Sequence, residues 1–341
     1  MAKRPTIEQL AQESGVSVAT VDRVLNRRLP VRAETASRVH DAAIRIGFHA
    51  AGLIGQRLRE EQREIRLGFL LLKTDQPFYG PFAQDIEDAV AAARDLRASC
   101  KIDFISSQNP AEVVARLEAM AARTDAVAMV APEHPMLSAA VERLKERGVP
   151  VFALLSDFAP AARHAYAGVH NGKVGRTAAW MIARSARPGK VALFVGSHRF
   201  HGHELREIGF RAFFREQAPG FTVLDTIVNM EAQELTHEAM LDLHRQHPDL
   251  VGVYVAGGGS GGLVTALREM SPDKRPVAIC NELTADRRAA LAEGLLTMVI
   301  HTPRERLCRE IVPLMAQSLK PGGSAPAQIF LPFDIHLPES V

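Results

Sequence analysis

Residues Thr6 to Asn26, TIEQLAQESGVSVATVDRVLN, decide how the start of the chain folds. Thr6-Ile7-Glu8-Gln9 is a capping box: the Thr6 hydroxyl can accept from the Gln9 backbone, and the Gln9 amide can reach back to Thr6. Ile7, Leu10 and Ala11 then recur at helical spacing on one face. Gly15 can take the left-handed conformation that ends a helix, at little steric cost. Ser17 is placed to cap a second helix running to about Asn26, with Val21, Val24 and Leu25 turned inward. A third helix, about Arg32–Ile46, buries Val39, Ala43 and Ile46. Arg32 is a poor cap, so that boundary is the least sharply marked.

Two short helices across a glycine turn, supported by a third, make a helix-turn-helix. In that arrangement the second helix presents its N-terminal residues to the major groove. Arg23 can donate two hydrogen bonds to guanine O6 and N7, and Val18 and Ala19 can meet thymine methyls. Thr6, Ser17, Thr20 and Asn26 suit phosphates. A three-helix module that binds protein fits the same spacing. Charge leans toward a polyanion: residues 1–66 hold twelve Lys/Arg against eight Asp/Glu, while the remainder is slightly acidic.

The run Thr6-Ile7-x-x-Leu10-Ala11-x-x-x-Gly15-Val16-Ser17-x-x-Thr20-Val21-x-Arg23-Val24-Leu25-Asn26, with Val31-Arg32-x-x-Thr35, Val39 and Gly47-Phe48 downstream, resembles the head of the LacI/GalR family of transcriptional regulators. The resemblance implies that Val18, Ala19 and Arg23 read bases. It also implies a hinge helix that folds on DNA and inserts a leucine into the minor groove. The hinge stretch, His49 to Leu58, lacks the family's proline and carries Gly52 and Gly55, each costing a helix about 1 kcal/mol relative to Ala. Leu53 and Leu58 are the two wedge candidates. Asp22 stands where relatives carry a small hydroxyl residue; it is expected to pair with a nearby arginine or to face away.

Beyond the charged run Arg59–Glu64, short apolar segments alternate with amphipathic helices. Arg66–Leu72, Thr222–Val228, Val251–Ala256 and a last strand Ile329–Ile335 are examples of the first kind, and Phe82–Leu96 and Leu205–Glu216 of the second. Such alternation implies parallel sheets with right-handed crossovers. The expected fold is α/β: an all-α helix-turn-helix head (1–48), a hinge and linker (49–65), and an effector-binding domain (66–341) of two doubly wound parallel-sheet lobes. The first lobe is expected over about 66–168 and 302–326, the second over about 169–301 and 327–341.

In such lobes ligands sit beyond the carboxyl ends of strands. The residues there are Gln76, Phe78 and Tyr79, then Ser156 and Asp157, Asn171, His198 and Arg206, Gly257, Asn281, and His301. Phe78 and Tyr79 can sandwich a sugar ring while Gln76 bonds hydroxyls, although local core packing would use the same two aromatics. The pattern resembles ribose-binding-type periplasmic sugar-binding proteins across residues 66–338. That resemblance implies that Arg206, three residues before Gly209-Phe210, is the ligand arginine. It also places Asn171 just past an interlobe crossover and His301-Thr302-Pro303 on the last ligand loop. Gly257-Gly258 stands where relatives carry Asn-Asp. The donor-rich set of Arg206 with His198, His201, His203 and His301 tilts toward an acid, phosphate or oxidised sugar.

Other chemistries have weaker footing. Gly257-x-Gly259-x-x-Gly262, with Glu282 twenty residues later, satisfies a dinucleotide fingerprint, but a tight strand-to-helix turn uses the same glycines. His198, His201 and His203 lack the spacing of a structural zinc site. No nucleophile elbow stands out, so no catalysis, cofactor or metal is expected. The three cysteines are far apart, the N-terminus lacks a signal peptide, and no apolar run reaches about 20 residues. The features unite in a cytoplasmic, homodimeric, sequence-specific regulator, acting as a repressor. It binds double-stranded operator DNA and no membrane, and answers a small polar effector: a sugar, polyol, sugar acid or sugar phosphate. The rival is a free-standing ligand-binding protein, or a nucleotide or redox sensor, with an accessory helical head.

A wedge contributes only where DNA is kinked. Leu53→Ala or Leu58→Ala is therefore expected to weaken binding to the operator and leave binding to a scrambled duplex nearly intact in a gel-shift series. Parent-like operator binding by both variants would remove the wedge assignment.

Overall fold

In the computed structural model, which describes residues 4–26, 30–61, 64–72, 77–93, 96–320, 322–323 and 327–341, the capping box closes. Thr6 N–H donates to Gln9 Oε1 (2.9 Å) and Gln9 N–H to Thr6 Oγ1 (3.3 Å), starting α1 (Ile7–Ser14). Gly15 ends it at φ +66°, and Arg38 Nη2 donates to Ser14 O (2.8 Å) across the turn. Ser17 Oγ accepts from Thr20 N–H (3.2 Å) at the start of α2 (Val18–Asn26). As its weak cap predicts, α3 (Ala33–Arg45) begins after Arg32 with no side-chain cap bond. Leu10, Val21, Val39, Ala42 and Phe48 form one core, which Ile54 of α4 (Ala51–Glu61) completes.

The hinge stretch is thus a formed helix, and one of its two glycines has a packing reason. A Cβ on Gly55 would lie 2.6 Å from His40 Nε2, so any larger residue there must displace the His40 ring. Gly52 faces open space. Leu53 is 46% exposed, while Leu58 lies in α4 with its side chain outside the described residues. Asp22 accepts from Asn26 Nδ2 (2.6 Å).

The chain divides into two compact units, Met1–Ile65 with Ala91–Ser99, and Arg66–Val90 with Cys100–Val341. The elements of the larger part run β1 (Ile65–Leu72), α5 (Tyr79–Ala92), β2 (Ala98–Ile105), α6 (Pro110–Ala121), β3 (Ala126–Met129), α7 (Pro135–Glu146), β4 (Val151–Leu154) and β5 (Ala165–Val169). They continue through α8 (Asn171–Ser185), β6 (Lys190–Val195), α9 (His201–Gln217), β7 (Thr222–Val223), β8 (Ile227–Val228), α10 (Gln233–Gln246), β9 (Leu250–Val255) and α11 (Ser260–Glu269). The last are β10 (Val277–Asn281), α12 (Ala285–Ala292), β11 (Met298–His301), α13 (Arg304–Ser318), β12 (Gln328–Leu331) and β13 (Asp334–His336). The first lobe's sheet has the order β12-β5-β4-β3-β1-β2 and the second's β13-β11-β10-β9-β6-β7, with β8 also on β6. Central strands such as Val151–Leu154 and Ala165–Val169 are buried throughout, as helices on both faces require.

Two strand assignments change. Thr222–Val228 is two short pairings on β6 rather than one strand. Between them Arg211 Nη2 takes Leu224 O (2.9 Å) and Thr226 Oγ1 (2.7 Å), tying the polar middle to α9. Ile329–Ile335 is likewise split: β12 lies parallel to β5 in the first sheet, and β13 antiparallel to β11 in the second. Pro332, which has no N–H to donate, ends the first pairing. The chain therefore changes lobe after Leu331 and not at residue 327. The other two crossings are His170, between β5 and α8, and Thr302-Pro303, between β11 and α13.

Helices α8 and α9 touch backbone to backbone. A Cβ on Gly175 would sit 1.9 Å from Arg206 O, and one on Gly209 would sit 2.2 Å from Gly172 O. Gly175→Ala must push α9 off α8 and carry Arg206 with it. The expected result is a loss of roughly 1–3 kcal/mol in chemical denaturation, with weakened ligand binding in the same variant. Unchanged stability would show that the contact is looser than drawn.

Candidate functional site

Beyond the carboxyl ends of both sheets lies a cavity of about 450 Å³. Phe78 and Tyr79 form part of its first-lobe wall, packed edge to face with ring centres 5.2 Å apart. Arg304 fixes Phe78 from behind: its guanidinium lies 5.4 Å from the ring centre, Nη1 donates to Phe78 O (3.3 Å), and Nε pairs with Asp85 (3.2 Å). Burial, then the nearby Glu231 and Glu282, hold the Tyr79 phenol well above its ordinary pKa, with Arg206 opposing. These four groups therefore converge on one space.

Arg206 is buried and held at two points. Its Nε donates to Asn171 Oδ1 (2.7 Å) and its Nη1 to Ala256 O (2.6 Å), and the residue lines the cavity. Asn171 is held in turn, its Nδ2 donating to Leu155 O (3.2 Å) and Tyr166 Oη (3.3 Å). Glu282 also has a fixed carboxylate: Thr302 donates from Oγ1 (2.7 Å) and from its backbone N–H (3.1 Å), and His301 Nδ1 lies 3.0 Å away. Burial alone would raise the Glu282 pKa, but His301, Arg206 and Thr302 bring it below the usual carboxylate value. Asn281 accepts from Tyr254 Oη (2.6 Å). His203 lies against Phe200, its Nε2 3.9 Å from Glu231 Oε1, and its buried Nδ1 has no hydrogen-bond partner among the described residues. Burial pushes its pKa down to about 4, so the imidazole is neutral at physiological pH.

The wall is also strained. Leu155, Met230, Glu231 and Glu282 all line the cavity at positive φ, between 51° and 66°. Each such non-glycine residue costs about 1–3 kcal/mol and persists where surrounding structure enforces it, commonly at ligand clamps.

Residues 67–324 match the periplasmic binding protein domain, and residues 6–50 match the bacterial regulatory proteins of the lacI family. The chain belongs to the periplasmic binding protein domain family and carries a lacI-family head. It is 22% identical over 270 residues to the HTH-type transcriptional regulator GalS of Salmonella typhimurium, covering 77% of this chain and 75% of that protein. It is 35% identical over 83 residues, 24% of each chain, to the HTH-type transcriptional regulator RegA of Clostridium saccharobutylicum. In fold it is similar to GanP, a glucose-galactose binding protein from Geobacillus stearothermophilus (TM-score 0.73, 17% identity, 82% of this chain and 99% of that one). A solute-binding protein of Agrobacterium vitis with bound D-fucose is also similar (TM-score 0.73, 15% identity, 80% and 96% covered).

Of the effector residues expected for this lacI-type chain, Phe78, Tyr79, Ser156, Arg206, Gly257 and Asn281 line the cavity. Gln76 lies outside the described residues. Asn171 stands behind Arg206, and His301 behind Glu282. Asp157 is turned away: its carboxylate is paired to both Nε and Nη2 of Arg163, whose Nη1 holds Ala327 O (2.7 Å). His198 is 56% exposed and 3.2 Å from Glu207, while His201 pairs with Glu204. The three loop histidines thus face three different carboxylates. The third glycine of the fingerprint has a packing role, since a Cβ on Gly262 would lie 1.9 Å from Gln233 O. Glu231, Glu234, Glu282 and Asp286 are acidic wall groups missing from the expected set. Reading the loop after Ile227–Val228 by the same rule as the others would have found Glu231, and Glu282 is the neighbour of Asn281.

On the head, Ala19, Arg23 and Asn26 are exposed, as is Val18 at 45%. The hydroxyls assigned to phosphates already serve local bonds: Ser17 Oγ and Thr20 Oγ1 lie 2.9 Å apart, and Thr6 closes its capping box.

A histidine with a depressed native pKa destabilises in acid. Above about 6.5, its unfolded value, folding takes up or releases no proton at His203. Between there and about 4 the unfolded chain alone holds the proton, so stability falls as pH falls. Thermal unfolding followed from pH 7 to 4 should show a steeper loss in the parent than in His203→Gln. Parallel curves would contradict the buried neutral imidazole.

Proposed function

We propose that this chain is a DNA-binding transcriptional repressor whose operator affinity is set by a sugar or related polyol held in the cavity. The observation that carries the reading is Arg206, anchored to Asn171 and Ala256 in the cavity wall of a chain whose residues 6–50 match the lacI family. GalS and RegA, both regulators by name, support the first half. Similar folds solved with D-fucose, D-allose and D-arabinose support the second. The carboxylates of Glu231 and Glu282 shift the ligand away from the acid or phosphate suggested by the donor-rich loops. A hydroxyl is both donor and acceptor, so a wall with an arginine between carboxylates suits a polyol better than an anion.

The protein is read as a cytoplasmic homodimer, because a two-fold axis matches two operator half-sites. Among the described residues no helix is long and apolar enough to cross a membrane. The ligand acts by its differential affinity for two lobe arrangements, and linkage transmits that difference to DNA affinity. No catalytic step is assigned.

Arg23→Ala should weaken operator binding by roughly 1–3 kcal/mol and relax preference at one base step. Fluorescence anisotropy with a set of single-base operator variants reads both effects. Equal affinity and an unchanged base profile would sink the assignment. In the same assay Arg206→Ala should lose the response of DNA affinity to added sugar.

A further inference from the structure

His203 owes its place in the cavity wall to two glycines that the backbone does not require. Gly196 follows β6 and Gly257 lies just past β9, and neither has a positive φ, so both conformations are open to any residue. What the glycines supply is room. A Cβ on Gly257 would lie 2.8 Å from His203 Cε1 and 3.0 Å from its Nε2. One on Gly196 would lie 3.0 Å from the same Cε1 and 2.5 Å from Glu231 Cγ. Two strand ends of the second lobe are therefore bare where an imidazole and a carboxylate pack on them. His203 comes from α9 and Glu231 from the loop between β8 and α10, so four separate segments build this corner.

The two polar groups approach without closing. His203 Nε2 and Glu231 Oε1 are 3.9 Å apart, which is beyond a hydrogen bond. One oxygen fits between them, since an atom about 2.8 Å from each makes an angle of roughly 90° there. Both residues border the cavity with side chains only 12% and 10% exposed, within reach of a ligand yet largely shielded from bulk water. The buried imidazole is neutral, and a carboxylate opposite Nε2 favours the tautomer with its proton there. The corner therefore offers one donor and one acceptor. A phosphate or carboxylate oxygen has no proton for Glu231, and an ammonium has no lone pair for the imidazole N–H; a hydroxyl has both. Arg206 and Arg287, the cations of the wall, have anchors of their own: Arg206 holds Asn171 and Ala256 O, and Arg287 Nη1 donates to Glu282 O (2.8 Å). Four lining carboxylates outnumber them, so the wall as a whole does not call for an anion.

We propose that His203 and Glu231 are a specificity-determining pair that reads one hydroxyl of the ligand, Nε2–H donating to its oxygen and the Glu231 carboxylate accepting its proton. The proposal rests on the effector reading above and narrows it to a ligand with a free hydroxyl at this corner. Gly196 and Gly257 are positioning residues, acting through the space they leave.

Isothermal titration of the full-length protein tests this. D-galactose, D-glucose, D-allose, D-arabinose and D-fucose are ranked first. Each monodeoxy derivative of the tightest sugar is then titrated into the parent, His203→Phe, Glu231→Gln and Gly257→Ala. In the parent, one deoxy position should weaken binding at least about tenfold, the loss of a hydrogen bond to a charged group. In His203→Phe and Glu231→Gln that one penalty should fall to about twofold or less, with the penalties at other positions kept. A general loss of packing would weaken every derivative alike and leave these ratios unmoved. Gly257→Ala, whose Cβ must turn the ring, should reproduce the His203→Phe pattern. Penalties equal in parent and variants, or no tenfold position in the parent, overturn the pair and leave the effector reading in place. A penalty kept in Gly257→Ala alone overturns the part given to that glycine. Silence from all five sugars counts against both readings.

Discussion

The amide of Asn171 is held at both ends, and the geometry of the effector domain depends on it. Its oxygen takes the Arg206 guanidinium from the second lobe, and its nitrogen gives to Leu155 O and Tyr166 Oη in the first. Asn171 is also the first residue of α8, directly after a crossing between lobes. The backbone contact through Gly175 and Gly209 then fixes α9 on α8, so Arg206 has little freedom of its own. A ligand that pulls on Arg206 pulls on the crossing. An aspartate at 171 could still receive the arginine but would set an oxygen against Leu155 O, which is why the residue type matters and not its size alone.

The same economy explains where the strain sits. Leu155, at φ 63°, is both a cavity wall and the acceptor of the Asn171 amide. Glu282, at φ 66°, points its carboxylate into the Thr302 pair at a second crossing. Strained backbone, buried charge and lobe crossings therefore coincide. Such strain persists only where the surrounding structure enforces it, at the expense of local stability.

Much of this was legible in the sequence. Thr6, Gly15 and Ser17 mark the head because caps and left-handed turns are local chemistry, decided within four residues. Val277–Asn281, Lys190–Val195 and Ala165–Val169 stand out because doubly buried strands are unbroken apolar runs. Arg206 is pointed to by the resemblance to sugar-binding proteins, through its place three residues before Gly209, and Gly209 itself packs against Gly172 O. What escaped depends on partners distant in sequence. Asp157 looked available until Arg163 folded onto it, and His198 until Glu207 did. Thr222–Val228 reads as one apolar strand, and only Arg211 from α9 shows why it is interrupted. Glu231 stands on a loop whose turn at Met230 and Glu231 uses positive φ without glycine, so no residue type announces it.

The split of the last strand at Pro332 has a mechanical meaning. Among the described residues three tethers join the lobes: His170 alone, Thr302 with Pro303, and Pro332 with Phe333. A residue can span at most about 3.6 Å, so none of these strings has slack for translation. Three short strings held taut leave only torsion about the line through them. The relative motion these tethers hinder least is a twist of one lobe over the other about that line. Its amplitude grows with distance from that axis, so the parts of each lobe farthest from the tethers move most.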